Sequence, residues 1–353
     1  MPSNSKRIAL ICPSSIDFMP YVDNYESILR GAGVDYDFIL WDRFGDVKLR
    51  HGLVYRDSKV GHKRNFIDYC RYGFFIANQV DFRRYSGVVV FGLQLSFFLQ
   101  RLLSGLSLRY VVDIRDHNKI LNFYGVRGVL RGAEFVVISS PGYGEWAREA
   151  RRLIVNHNTN VPNVNGLPEV TGFRDDQPLC VACIGALRDL EVNISLIDSV
   201  AYSSRVSLAF HGQGDINDKI QSYVAQKKIG NVILTGRYSR SDEAELYRSA
   251  SFVNVLRYND GINNRTALPN RLYNSAIAGR PMLAFSGTYL AEVVNAASLG
   301  LVVDTLDDVE SKLLHYACEF DCDGYDRFRR EFMQNVIAEN QEFCSSIEQF
   351  CLQ

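Results

Sequence analysis

Short, nearly uninterrupted apolar runs alternate with longer stretches of helical period along most of the chain. In the first half, Arg7 to Cys12, Tyr36 to Trp41, Gly87 to Phe91, Arg109 to Ile114, Glu134 to Ile138 and Arg152 to Asn156 read as buried strands. Between them, Asp23 to Gly31, His62 to Gln79, Leu95 to Leu106 and Gly142 to Arg151 read as helices, the first with Asp23 or Asn24 as its cap. From Asn158 to Pro178 the period disappears and Asn, Pro, Gly and Thr dominate, which marks a boundary. The alternation then restarts. Strands are expected at Leu179 to Ile184, Val206 to His211, Asn231 to Thr235, Phe252 to Leu256, Pro281 to Phe285 and Leu301 to Val303. Helices are expected at Asn193 to Tyr202, Ile216 to Gln226, Ser241 to Ala250, Leu268 to Ala278 and Tyr289 to Ala297. Near the end, Phe328, Phe332, Val336, Phe343, Ile347 and Phe350 fall on one helical face.

Strands alternating with helices predict an α/β protein of two doubly wound parallel-sheet domains facing across a cleft. The expected layout is a first domain at residues 1–160, a linker at 161–178, a second domain at 179–324, and a helix at 325–353 that crosses back to the first domain. A length of 353 residues suits two domains of roughly 150 to 180 residues.

Composition changes little in that picture but excludes several functions. Hydrophobic residues make up 47% and charged residues 22%, so both domains can bury cores. Lys and Arg total 39 against 40 for Asp and Glu, a formal charge of -1, which argues against nucleic acid as a partner. The apolar run after Arg7 is too short for a signal-peptide core, so the protein is expected in the cytoplasm. The longest apolar stretch, Gly87 to Leu106, is broken by Gln94, Gln100 and Arg101 and reads as strand plus helix, not a membrane span. The eight cysteines have no framework spacing, and Cys180 and Cys183, formally C-x-x-C, fall within an apolar strand. No site in the sequence calls for a metal.

In open parallel sheets, ligands sit beyond the carboxyl ends of strands, and phosphates favour helix N-termini, where backbone N–H groups lack partners. After Leu179 to Ile184, Gly185 permits close approach of backbone to a ligand and Arg188 offers a planar fork for phosphate oxygens; an ordinary turn with a solvated arginine reads the same. Pro269 near a helix start, Gly279 at its stop and Pro281 opening a strand define a loop-helix-turn-strand unit, with Arg265 and Arg271 bracketing the helix start. That is an anion site or a surface helix with incidental arginines. In the first domain, Asp116 and His117 follow a strand and suit acid/base work or hydroxyl binding, while Asp113 and Arg115 suit a structural ion pair and Asp116 equally suits a helix cap. His157, after the last strand of that domain, is a further candidate and equally a hinge residue.

The run Leu268-Pro-Asn-Arg-Leu-Tyr-Asn-Ser-Ala-Ile-Ala-Gly-Arg-Pro281 resembles the signature of GT-B glycosyltransferases, specifically the "group 1" family of capsule and exopolysaccharide synthesis. Ile184-Gly-Ala-Leu-Arg188, His211-Gly-Gln-Gly214, Leu234-Thr-Gly-Arg-Tyr238, Leu246-Tyr-Arg-Ser-Ala250 and, in the first domain, Val112-Asp-Ile-Arg-Asp116 are similar in order and spacing. The resemblance implies two Rossmann-like domains and metal-independent hexosyl transfer from a nucleotide-diphosphate sugar to a saccharide or lipid-linked saccharide, with no cofactor. It also implies that Gly185 and Arg188 meet the diphosphate, that Asn270 and Arg271 lie beside it, and that Thr235, Gly236, Arg237 and Tyr238 border the base. Thr266 and Asn274 stand where the family often has two glutamates, and Asn274 keeps a hydrogen bond for the ribose.

Two other functions fit the same architecture: a nucleotide-sugar epimerase, which needs cleft carboxylates such as Asp116 and Asp260, and a non-catalytic partner of another transferase. The segment Lys48 to Arg84 interleaves nine basic residues with aromatics that include Tyr55, Phe66, Tyr69, Tyr72, Phe74 and Phe75. It reads either as a surface resting on anionic lipid at the inner face of the cell membrane or as a helix covering the first sheet with a solvated basic face.

Overall fold

A computed structural model describes residues 6–47, 51–105, 108–174 and 176–353. Lys48 and Arg50 of the basic segment, and Leu106, lie outside the described residues. The chain forms two compact units, one of residues 1–157 with 338–353 and one of 158–337.

The first unit is built on a seven-stranded parallel sheet of β1 (Arg7–Cys12), β2 (Asp35–Asp42), β3 (Gly52–Arg56), β4 (Gly87–Phe91), β5 (Arg109–Ile114), β6 (Val136–Ile138) and β7 (Leu153–Val155). Its order, β3-β2-β1-β4-β5-β6-β7, reverses between β1 and β4. The helices are α1 (Val22–Gly31), α2 (Phe66–Gln79), α3 (Leu93–Gly105) and α4 (Tyr124–Gly132). Right-handed crossovers put α2, α3 and α4 on one face and α1 on the other. On the α1 face Tyr25 and Leu29 pack with Phe343, Ile347 and Phe350 from the end of the chain.

The second unit repeats the plan with β8 (Leu179–Ile184), α5 (Leu190–Ser199), β9 (Val206–His211), α6 (Asn217–Lys227), β10 (Val232–Gly236), α7 (Glu243–Ser249) and β11 (Phe252–Asn254). It continues with α8 (Ile262–Thr266), α9 (Asn270–Ala278), β12 (Met282–Phe285), α10 (Tyr289–Ala296), β13 (Gly300–Val303) and α11 (Val309–Cys318). The parallel order is β10-β9-β8-β11-β12-β13, reversing between β8 and β11. Side chains alternate across it: Val181, Cys183, Leu208 and Phe210 enter one core, while Ala182, Ile184 and Ala209 enter the other. Cys180 and Cys183 are therefore strand residues, and both are free thiols.

The last helix, α12 (Cys322–Leu352), serves both units: Met333 and Val336 join the core of the second, Phe343, Ile347 and Phe350 that of the first. Residues 158–178 lie against the second unit, where Leu167 is buried, Arg330 donates to the Val164 carbonyl at 2.7 Å and the buried Arg329 donates to the Pro168 carbonyl.

Several elements differ from the sequence reading. No α-helix covers 142–151; the chain makes a short 3-10 turn at Pro141–Glu145, because Gly142 and Gly144 weaken a helix there and the Ser140 hydroxyl accepts from the Gly142 N–H to set the turn. The helix expected from His62 begins at Phe66, where Asn65 and Asp68 form a reciprocal capping box at 3.1 and 2.9 Å. The first helix begins after Tyr21, so neither Asp23 nor Asn24 caps it. Edge strand β3 and helices α4, α8 and α11 are additional.

Candidate functional site

The carboxyl ends of β8, β9 and β10 are joined past the last strand residues: the Gly185 N–H donates to the His211 carbonyl at 2.9 Å and the Gly212 N–H to the Gly236 carbonyl at 2.8 Å. Gly185 sits at φ +106, and a Cβ there would meet only the Arg271 Nε and the Tyr238 hydroxyl, each at 4.0 Å. The loop after Gly185 is anchored by buried Leu187 and by Asn193, whose Nδ2 donates to the Arg188 carbonyl at 2.6 Å. With its backbone pinned, Arg188 extends an exposed guanidinium that has no hydrogen-bond or ion-pair partner among the described residues.

Arg271, in the first turn of α9, is differently placed. Its Nε donates to the Ile184 carbonyl at 2.6 Å, Nη2 to the Ala186 carbonyl at 3.0 Å and Nη1 to the Asn254 carbonyl at 3.3 Å. One side chain thus ties the ends of β8 and β11 to the start of α9. Asn270 is exposed beside it, and Pro269 precedes the helix in extended backbone, leaving the first N–H groups of α9 without an intrahelical acceptor. The opposite end closes with Gly279 at φ +71 and with Arg329, which donates to the Ala276 and Ile277 carbonyls at 3.0 and 3.1 Å and complements the helix dipole.

At the end of β10, the Thr235 hydroxyl pairs with Nδ1 of His211 at 2.9 Å, and burial lowers the pKa of that imidazole. The Tyr238 hydroxyl donates to Glu243 at 3.2 Å; burial and then the carboxylate push the phenol up to about 12, so it remains a donor. Gly236 takes φ +72 and Arg237 is exposed. Asn274 hydrogen-bonds with the largely buried Tyr247 hydroxyl. Arg265 lies on the short helix α8, away from the first turn of α9 in sequence, and Thr266 is buried with its hydroxyl donating to the Ile262 carbonyl at 2.7 Å. The ends of β8, β10 and β11 and the start of α9 therefore bring together Gly185, Tyr238 and Arg271.

In the first unit, the loop after β5 leaves a buried polar cluster. Asp113 accepts from Tyr25 at 2.6 Å and from both forks of Arg115 at 2.6 and 2.7 Å, and Arg115 also reaches Asn156 and lies 4.3 Å over the Tyr21 ring. Asp113 and Arg115 thereby fix the backbone from which Asp116 and His117 emerge. Asp116 is exposed; Asn118, not Asp116, caps the following turn, accepting from the Ile120 N–H at 3.0 Å. His117 is half-buried with its ring edge-on to Trp146 at 5.2 Å. His157 is buried and its Nε2 hydrogen-bonds with the Glu339 carboxylate.

Sequence reasoning did not single out Trp146, Glu243 or Asn254. Only Glu243 left a signal, as an acid in the first turn of a helix five residues after Tyr238. Among the described residues there is no group of three or more His, Cys, Asp or Glu side chains that could hold a metal ion, and no helix is long and apolar enough to cross a membrane.

No protein-family model matches the chain, and no curated protein matches it. Among solved structures it is similar to the lipopolysaccharide outer core galactosyltransferase WaaB in its apo form, at 13% identity and TM-score 0.68 over 96% of this chain and 98% of that one. It is also similar to Anabaena Alr3699/HepE in complex with UDP, at 10% identity and TM-score 0.69 over 98% and 100%. A glycosyltransferase from Rickettsia africae ESF-5 follows at 11% and 0.67 over 99% of each chain. At such identities the likeness establishes the fold, which is GT-B: two Rossmann-like parallel-sheet domains in one chain.

Proposed function

We propose that the chain is a glycosyltransferase moving a hexosyl group from a nucleotide-diphosphate sugar to a saccharide acceptor, lipid-linked in our reading, during synthesis of a bacterial surface polysaccharide. The observation that carries this is the Gly185 turn, which Arg271 holds against the start of α9, followed three residues later by the open Arg188 guanidinium, a set of groups suited to two phosphates. In this reading Gly185, Arg188 and the N–H groups of Asn270 and Arg271 receive the diphosphate, and Arg265 adds positive charge. Thr235, Gly236, Arg237 and Tyr238 border the base, and Asn274 turns from Tyr247 to the ribose. Charge developing on the leaving diphosphate is met by guanidinium and helix dipole rather than by a metal. Asp116 and His117 hold the acceptor hydroxyl, one of them taking its proton as the new glycosidic bond forms. UDP is the first nucleotide to try, since it is the one bound in the similar structure of HepE.

One observation favours a second reading, a non-catalytic partner of another transferase: Thr266, where the resembled family often carries a glutamate, is buried and spends its hydroxyl on its own helix. Incubation with UDP-, GDP-, dTDP- and CMP-linked sugars separates the readings. A transferase consumes donor only when saccharide acceptor is present, an epimerase converts donor alone, and a partner does neither. Conversion without acceptor, or none with any donor, overturns the proposal.

A further inference from the structure

Helix α3 of the first unit packs between α2 and α4, so the three present one continuous outer surface. That surface has an unusual composition. On α2, Phe66 is 61% exposed, Ile67 58% and Phe74 72%, at spacings that put them along one stripe two turns long. Phe66 meets Phe98 of α3 at 4.8 Å, Phe98 meets Phe97 at 5.2 Å, and Phe97 meets Phe123, itself 56% exposed, at 5.7 Å. Single exposed apolar residues are ordinary, whereas an aromatic band across three elements calls for something to cover it.

The charges around the band have one sign. Lys63, Arg71, Arg101 and Lys119 are exposed, with no ion-pair partner among the described residues, and Arg127 is exposed with only a longer-range attraction to Glu149, which pairs directly with Arg131. Across α2, α3 and 119–132 the one acidic residue is Asp68, which is buried and paired with Lys59 at 2.6 Å. On the opposite face, α1 carries Asp23 and Glu26, and the end of α12 carries Glu339, Glu342 and Glu348. A chain of net charge -1 thus concentrates unpaired positive charge around its exposed aromatic band.

We propose that this face rests on an anionic lipid bilayer, with Phe66, Ile67, Phe74 and Phe123 entering the headgroup boundary and the five basic side chains meeting lipid phosphates. A second copy of the chain is a poorer fit, because a two-fold dimer through this face would lay the basic residues of one copy against those of the other. Within the segment Lys48 to Arg84, the docking residues are then Lys63, Phe66, Ile67, Arg71 and Phe74. Arg56, Lys59, Arg64 and Arg83 are engaged with Asp42, Asp68, Asp57 and Asp81, and the Arg64 side chain is buried. The turn that begins at Lys119 follows Asp116 and His117 directly, so docking would bring the proposed acceptor loop to the headgroups; this purpose, though not the docking itself, rests on the lipid-linked reading.

The test is co-sedimentation of the full chain with vesicles of phosphatidylcholine alone and of phosphatidylcholine mixed with phosphatidylglycerol, at low and high salt. Binding is expected only to the mixed vesicles and to weaken with salt. Arg71→Gln with Arg127→Gln should reduce partitioning roughly thirtyfold, and Phe66→Ser with Phe74→Ser should reduce it as well. Lys219→Gln on α6 of the second unit should change nothing, and circular dichroism melts should match throughout. Wild-type protein left in the supernatant with anionic vesicles overturns the inference. So does undiminished binding by both double variants, or a concentration-dependent dimer that the Phe66→Ser, Phe74→Ser variant alone abolishes while vesicle binding persists. Donor turnover is assayed separately on soluble saccharide without vesicles, so failure of the transferase reading registers there and leaves vesicle binding to be judged by itself.

Discussion

Two arginines that look alike in the sequence are asked to do different work. Arg188 has its backbone held by Asn193 and its guanidinium open to solvent, so removing the side chain takes away the proposed phosphate contact and little else. Arg271 donates to three carbonyls from two strand ends, and its loss leaves those carbonyls without their donor. Charge-assisted hydrogen bonds contribute about 1.5 to 3 kcal/mol each. We therefore expect Arg188→Ala to weaken nucleotide-diphosphate binding by about ten- to a hundredfold with an unchanged melting temperature. Arg271→Ala should lower both affinity and melting temperature, and Arg271→Lys should restore little, since an ammonium cannot span three carbonyls as a planar fork does. Scanning calorimetry with titration of UDP reads both quantities. An Arg271→Ala protein that melts like wild type but has lost UDP would assign Arg271 to the ligand instead of the loop.

At the scale of elements, the loops after β8 and β9 interlock through backbone. A Cβ on Gly212, at φ +133, would lie 1.9 Å from the Gly185 carbonyl oxygen, and one on Gly214 would lie 1.8 Å from that of Leu187. Gly212→Ala should therefore push the Gly185 loop off its position, costing roughly 1 to 3 kcal/mol and weakening nucleotide binding. Gly33→Ala, at φ +65 with nothing within 4 Å of the added carbon, should cost less and leave binding alone. Thermal melts and calorimetric titration of the two variants check this; equal losses would mean that the interlock is unimportant. The same interlock explains what could be read in advance. Parallel strands buried on both faces stand out as apolar runs, so the central strands of both sheets and the helix after Pro269 were legible, as was the stop at Gly279. Strand β3 is a half-exposed edge, and 142–151 has apolar residues but glycines where a helix needs side chains. Residue types at the strand ends could be listed from the sequence. Which carbonyls Arg271 would take, or that Trp146 would stand beside His117, depends on approaches between segments distant along the chain, which no local pattern encodes.

For the whole molecule, the last helix decides how the two units depend on one another. One 31-residue helix supplies Met333 and Val336 to the core of the second unit and Phe343, Ile347 and Phe350 to that of the first. Phe343 is fully buried with its ring edge-on to Tyr25 at 5.1 Å, and cutting a buried phenylalanine to alanine costs about 3 to 5 kcal/mol. Met333 is equally buried, and its truncation costs about 2 to 5 kcal/mol. Each unit has its own sheet and core, so the two losses should fall on different parts of the heat-capacity trace. Phe343→Ala is expected to bring down a transition that UDP does not move, and Met333→Ala the transition that UDP raises, because ligand stabilises only the unit that binds it. The measurement is a calorimetric scan of both variants with and without saturating UDP. A single transition lowered alike by either change, and raised by UDP in both, would show that the shared helix makes the chain unfold as one unit. The second unit could then not be studied apart from the first.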